Sequence, residues 1–219
     1  MSTGKCNFCN EEFTKRTIKN HLNKCKSKEE FYKDVKETEK SILLLIQDKY
    51  SKEYWMYVEV LETTTLSQID KFLRDVWLEC CGHMSAFYLK NNEIAKSKKI
   101  SSFMLENLEM DYEYDFGSTT SLTIKILSIS TTNGKQKIQI DAINNLPYIK
   151  CSFCEENAEF ICPFCYDDNT MCKKHLKKHS CVETEGEECM ASVTNSPRMG
   201  VCGYEGTEEK ILKKYFPKK

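Results

Sequence analysis

The chain has 219 residues, 40% of them hydrophobic and 30% charged, with a formal net charge of −1. That is an ordinary globular balance, and no apolar run approaches the roughly 20 residues needed to cross a bilayer, so a membrane-spanning helical protein is excluded. Near-zero charge also removes any whole-molecule attraction to nucleic acid.

The opening residues MSTGKCNFCNEEF hold no apolar stretch and no small-residue cleavage site, which predicts a chain that stays in the reducing cytoplasm. There, 13 cysteines point to metal rather than to disulfides. Nine of them, with three of the four histidines, fall into two tight clusters, while Cys80, Cys81, Cys189 and Cys202 stand outside.

The first cluster reads Cys6-x2-Cys9-x11-His21-x3-Cys25. Two thiolates on a tight turn and a His/thiolate pair about one helical turn apart can meet at one tetrahedral zinc ion. Phe13 and Ile18, between the pairs, are the apolar contacts such a small unit keeps. The segment resembles C2HC-type zinc fingers. Residues 1–28 carry seven cations against Glu11 and Glu12, a local balance of +5 that makes Lys15, Arg16 and Lys19 candidate contacts for nucleic acid or another partner.

Residues 26–40 mix charges densely and read as a solvated helix or linker. SILLLIQ (41–47) and YWMYVEVLE (54–62) are strands of a hairpin turning through Asp48 to Glu53. A helix follows from Thr65, with Thr65 and Gln68 as a capping box and Leu66, Ile69, Phe72, Leu73, Val76 and Trp77 as its core stripe, running until Gly82. Cys80 and Cys81 then close that helix as packed thiols, and His83 has no third group to complete a nucleophilic dyad with them. Further strands are expected near 86–89, 112–116 and 122–130, with turns at Gly117 and Asn133-Gly134. The sum is β-β-α-β-β-β, an α+β fold with one helix on a small antiparallel sheet. Glu106, Glu109, Asp111, Glu113 and Asp115 read as an exposed acidic strand edge, with a hard-cation site as the alternative.

Trp55 with Val58-Glu59-Val60, then TTLSQIDKFLRDVWLECCGHMSAFYL, YEYDFGSTTSLTIKI and NSPRMGVCGYEG together resemble the plasmid pRiA4b ORF-3-like family, whose members include insertion-element passenger proteins of TnpR type. The likeness covers roughly 40–130 and implies the α+β fold and a mobile-element context. One stretch departs from it: Ser118, Thr119 and Thr120 stand where many members carry an aromatic or aliphatic residue and a second His or Trp.

The second cluster reads Cys151-x2-Cys154-x7-Cys162-x2-Cys165-x6-Cys172-x2-His175-x3-His179-x-Cys181. Eight ligands in pairs suit two tetrahedral zincs, with a single zinc as the alternative. The spacing resembles HIT-type cross-brace fingers, which implies that first and third pairs share one ion and second and fourth the other. Sequential filling would draw Cys172, His175, His179 and Cys181 around one ion from one side of a helix, a strained closure, so interleaving is expected on geometry too. Three zinc ions per chain follow, all structural.

The expected divisions are the C2HC-type finger (1–27), a charged linker or helix (28–40), the central domain (41–147), the two-zinc module (148–185) and the NSPRMGVCGY loop with a basic tail (186–219). That loop reads first as a strap between module and central domain, with Arg198 as its one contact candidate. The function expected is non-enzymatic: zinc-supported surfaces holding nucleic acid or a protein partner, the module contributing Lys173, Lys174, Lys177 and Lys178. A resolvase-like DNA-processing enzyme or a protein-only adaptor is the alternative. Against an enzyme stand three scattered arginines, Arg16, Arg74 and Arg198, where phosphoryl transfer wants clustered cations, and no Walker, HExxH or GxSxG motif.

Overall fold

The computed structural model describes residues 2–33, 40–131 and 136–218. The Asn133-Gly134 turn and residues 34–39 of the expected linker lie outside the described residues. In chain order the strands are β1 (Thr3–Cys6), β2 (Glu12–Thr14), β3 (Ser41–Asp48), β4 (Trp55–Leu61), β5 (Ser85–Leu89), β6 (Asn92–Ile94), β7 (Glu109–Tyr114), β8 (Thr120–Ser130), β9 (Ile138–Asn144), β10 (Phe160–Ile161), β11 (Thr170–Met171) and β12 (Ala191–Ser192). The α-helices are α1 (Lys15–Leu22), α2 (Lys26–Tyr32), α3 (Leu66–Leu73), α4 (Ser180–Glu185) and α5 (Glu209–Leu212).

Nine of these strands form one antiparallel sheet in the order β2-β1-β9-β4-β3-β8-β7-β5-β6. The fold is α+β, but the sheet is larger than the sequence suggests, because the finger's hairpin belongs to it: Gly4, Lys5 and Cys6 pair with Asn144, Ile143 and Ala142. The finger therefore continues the central sheet instead of hanging beside it.

The reason lies in β3. Side chains alternate across a strand, so a run that is apolar throughout needs cover on both faces. Ile42, Leu44 and Ile46 face the main core with Met56, Val58, Val60 and the α3 residues Leu66, Ile69, Phe72 and Leu73. Leu43 and Leu45 point the other way, into a second cluster with Trp55, Tyr57 and Ala142, where Ile18 and Leu22 of α1 pack. Helix α3 covers the first face, and α1 together with α2 the second. Gly4 permits the junction, since a Cβ there would stand 2.4 Å from the Ile143 carbonyl oxygen and 2.5 Å from the Trp55 ring.

A polar network ties α2 to the finger-side face. Lys28 Nζ lies 2.5 Å from Asp141 Oδ2 and 3.1 Å from Glu59 Oε2, and the Gln139 side chain donates to Tyr32 Oη at 2.8 Å. Burial works against the Lys28 charge, but Asp141 and Glu59 outweigh it and hold the ammonium's pKa above its ordinary value. Asp141 is itself fully buried, so this charge is matched by its partners rather than by water.

Helix α3 has the expected capping box, Thr65 accepting from the Gln68 amide while the Gln68 side chain accepts from the Thr65 amide. It ends earlier than the sequence suggests. Arg74–Leu78 form a π-helical turn and Glu79 is already extended, so Cys80 and Cys81 lie in a loop. Strand β7 corrects the acidic-edge reading: it is paired on both sides, by β5 and β8, with Met110, Tyr112 and Tyr114 buried and Glu109, Asp111 and Glu113 on the opposite face.

Residues 191–216 return over the central domain. Strand β12 joins β10 in a small sheet with β11, Ser196 donates to the Trp77 carbonyl at 2.6 Å, and Thr207 donates to the Val76 carbonyl at 2.8 Å. The last two contacts serve carbonyls that the end of the α3 segment would otherwise leave without intrahelical partners. Tyr215 closes the strap, edge-on to Phe72 and hydrogen-bonded to Asp75 at 2.7 Å.

Candidate metal centres

The described residues bring Cys and His together in four sets of four, each with its ligand atoms within 4.8 Å of one another. All 13 cysteines are free. Each set is Cys3His, the donor combination of structural zinc, whose Zn–S bonds of about 2.3 Å put tetrahedrally arranged sulfurs about 3.8 Å apart.

In the first set Cys6 ends β1, Cys9 lies in the turn to β2, His21 sits in the last turn of α1 and Cys25 is the residue before α2. Cys6 and Cys25 Sγ are 3.9 Å apart, and Cys9 Sγ is 3.3 Å from His21 Nε2. Asn10 adopts φ 63° and donates its amide to the Cys6 carbonyl, which tightens the knuckle. The Phe13 ring stacks on His21 at 3.9 Å and fixes its plane.

The second cluster is wired in the interleaved manner: Cys151, Cys154, Cys172 and His175 form one set, and Cys162, Cys165, His179 and Cys181 the other. Cys154 and Cys172 Sγ are 3.8 Å apart, Cys151 Sγ lies 3.6 Å from His175 Nδ1, and Cys165 and Cys181 Sγ are 3.6 Å apart. The later ligands do not share one helix as expected. Cys172 follows β11, Leu176–Lys178 make a 3-10 turn, and α4 begins only at Ser180, so the backbone turns between the two pairs. His179 Nε2 is buried and has no hydrogen-bond partner, which is the condition a metal ligand would relieve.

The thiol environments fit a cation. Burial pushes Cys6 up to about 12, and the hydrogen bond shared with Cys181 is the main cause that raises Cys165 to about 11. Thiols crowded in this way resist ionising beside one another, and a divalent ion at the centre reverses that, because coordination deprotonates a thiol outright. Cys151 goes the other way: burial opposes its charge, but donors from the Cys172 and Phe153 amides and from His175 bring it down to about 6.

The fourth set, Cys80, Cys81, His83 and Cys202, is one that sequence reasoning missed. Cys81 is exposed, so the packed-thiol expectation fails there, whereas Cys80 is partly buried and does pack against the main core. The cause is the early end of α3, which releases residues 79–83 as a loop. A Cys-Cys-x-His run was the visible signal, but its partner Cys202 lies 119 residues beyond His83, between Gly200 and Gly203, and no local spacing connects them.

Among the contact candidates, Lys15, Arg16 and Lys19 line one concavity of about 460 Å³ together with Lys52 and Tyr57. Burial first, then the charge of Lys52, lowers the Lys15 pKa from its ordinary value. Arg198 is different. It is fully buried, its guanidinium bound to Asp115 Oδ2 at 2.5 Å, the Ser118 carbonyl at 2.5 Å and Thr120 Oγ1 at 3.2 Å, so it straps the chain internally and offers nothing to an outside partner. The Arg198 hydrogen bond is the main reason that Asp115 falls to about 2. Ser118 to Thr120 is where this arginine docks. No four-ligand acidic site arises among the described residues: Asp111 pairs with Lys49 at 3.1 Å and Asp115 with Arg198.

No family model matches the chain, and no curated protein matches it. Two solved chains match. One is the crystal structure of a protein of unknown function, MM3350, from Methanosarcina mazei Go1, at 20% identity over 48% of this chain and 69% of that one, with a TM-score of 0.43. A likeness of that degree says nothing about chemistry.

Proposed function

We propose that this chain is a zinc-organised, non-enzymatic binding protein of the cytoplasm whose basic finger face holds nucleic acid. The observation that carries the reading is the interleaved pair of Cys3His sets beside a third in the finger, each with four Cys/His donors gathered around one point. A catalytic zinc keeps an open position and a nearby carboxylate base, whereas four filled positions suit a metal that only holds a shape. Lys15, Arg16 and Lys19 then give that shape a cationic concavity beside α1. The resemblance of the central strands and α3 to the plasmid pRiA4b ORF-3-like family supplies a mobile-element setting. No helix among the described residues is long and apolar enough to cross a membrane.

A protein partner is the second reading, favoured by the aromatic surface of the 151–181 module, where Phe164 is 71% exposed and Tyr166 fully so. Recovery of whatever co-purifies with the native protein, with and without nuclease, separates the two. Nucleic acid whose affinity falls with salt at a log–log slope of about −3, and which is lost when Lys15, Arg16 and Lys19 become Glu, is the expected result. A defined protein that survives nuclease and high salt would transfer the role to the aromatic surface. Recovery of a turnover activity dependent on the zinc would overturn the non-enzymatic reading.

A further inference from the structure

We infer that Cys80, Cys81, His83 and Cys202 form a fourth zinc site, a solvent-accessible clasp that fastens the returning segment around residue 202 to the loop after α3. The inference shares with the proposed function the premise that Cys3His sets in this chain take zinc.

Four observations converge on it. The donor atoms lie as closely as in the other sets: Cys81 Sγ is 2.9 Å from His83 Nε2 and 3.5 Å from Cys202 Sγ, His83 Nε2 is 3.2 Å from Cys202 Sγ, and Cys80 and Cys81 Sγ are 3.7 Å apart. The sulfur separations are those of tetrahedral edges around zinc, about 3.8 Å, and far beyond a disulfide bond of about 2.05 Å. The second observation is the support behind the histidine. With Nε2 turned to the thiols, His83 Nδ1 faces Asp115 Oδ1 at 3.5 Å, and Asp115 is itself gripped by buried Arg198. A carboxylate behind the far nitrogen of a ligating imidazole fixes its tautomer and orientation, and such pairs recur behind metal-bound histidines.

Third, the same framework reaches Cys80, whose Sγ lies 3.7 Å from Arg198 Nη2 and 3.8 Å from Tyr114 Oη, so one buried cation orders both arms of the set. Fourth, Cys202 takes φ 50° and Gly203 φ 66°, a left-handed pair that turns the Cys202 thiol back toward residues 80–83. A non-glycine residue persists in that conformation where surrounding contacts over-determine it, and coordination of Cys202 is such a contact.

Three thiolates and an imidazole select a soft or borderline divalent ion, zinc before calcium or magnesium. Binding displaces the thiol protons. What separates this site from the other three is access. Each of those contains two buried ligands, whereas here Cys81 and Cys202 are exposed and neither Cys80 nor His83 is buried. The fourth ion is therefore the first to leave for a competing chelator. Its departure frees the 202 turn while Ser196 and Arg198 still anchor the strap upstream.

Metal analysis of the full-length protein, purified under reducing conditions with zinc, tests this. The wild type is expected to hold four equivalents, one of which passes to a weak chelator at least tenfold faster than the rest. Cys202→Ser and, independently, Cys81→Ser should each hold three and lose the fast phase. Three equivalents in the wild type, with no change in either variant, would overturn the fourth site while leaving the zinc-organised reading intact; so would a Cys81–Cys202 disulfide found by mass spectrometry in that preparation. One equivalent or none would overturn both. If Cys202→Ser fails to fold, the count and fast phase of Cys81→Ser decide.

Discussion

The two ends of this chain that gather Cys/His donors use their cysteines differently. In the finger, Cys6 and Cys25 are buried against a β-sheet and share a cluster with Ile18, Leu22, Trp55 and Tyr57, so candidate metal ligands and apolar packing lie on the same element. In the 148–185 module the strands are two residues long, and the buried apolar side chains other than cysteines amount to Ala158, Ile161, Met171, Leu176 and Val182. A unit that small cannot offset its chain entropy by burial alone. The lesson is that one ligand pattern can decorate a core or replace one, and the neighbours decide which.

The largest effect that would break or sharpen this contrast is chelation. Structural zinc is worth on the order of 10 kcal/mol in small domains, so a strong chelator should abolish amide protection throughout 151–181. Strands β3, β4, β8 and β9 should remain protected, and so should the β1–β9 pairing, since Trp55 and Ile18 hold it from the side. Equal loss at both ends, read by hydrogen exchange, would make the finger as metal-dependent as the module. Cadmium substitution refines the same point: every site should give a three-sulfur resonance, whereas a four-sulfur signal paired with a two-sulfur signal would mean sequential wiring in the module.

Ile18→Ala comes next. Ile18 is fully buried on the face away from α3, and truncating a packed isoleucine costs about 2–5 kcal/mol. Denaturant unfolding of the zinc-loaded protein should show that loss in the main transition, because finger and sheet share a core. A loss confined to a separate minor transition would restore the finger as an independent unit. The comparable truncation Met171→Ala, inside the module, should leave the main transition where it is and instead weaken zinc retention.

The smallest effect concerns pH. Asp70 anchors α3 to the sheet: its carboxylate accepts from Tyr112 at 2.8 Å, Ser85 at 2.5 Å and Arg74 at 3.1 Å. Burial opposes its charge, but these donors and Lys96 outweigh it, and the pKa falls below its ordinary 3.8. A depressed carboxyl stabilises the fold above its unfolded value and loses that contribution as pH drops through the folded one. Asp70→Asn should therefore cost about 2 kcal/mol at neutral pH, and the gap to wild type should close as the pH falls below 3.8. The module should fail at higher pH, as protons compete for its thiolates and imidazoles. Simultaneous acid loss of both regions would contradict the division between packed and metal-held structure.

Much of the candidate site was legible because its constraints are local. Pairs of ligands two or three residues apart announce a knuckle whatever surrounds them, and the alternative wirings of residues 151–181 could be weighed from the backbone reach of a ten-residue segment. The capping box at Thr65 and Gln68 and the β3–β4 hairpin, turned by Asp48 accepting from the Tyr50 and Ser51 amides, are likewise decisions of neighbouring residues. Strand β9 was harder to read: Gln139 and Asp141, though buried, break the apolar run that would have marked it, and their place is explained only by Lys28 and Tyr32 arriving from α2.

By itself, then, the sequence determined which residues could share an ion within a short segment, where the strongest helix begins and that the fold mixes α and β. Tertiary structure alone decided that the finger's hairpin would extend the sheet, that Arg198 would be an internal strap to Asp115, and that Cys202 would meet Cys80, Cys81 and His83. Each of these joins residues tens to more than a hundred positions apart. Spacing along a chain constrains only what a few bonds can reach, and partners brought together by closing a long loop are chosen by the shape of the core that closes it.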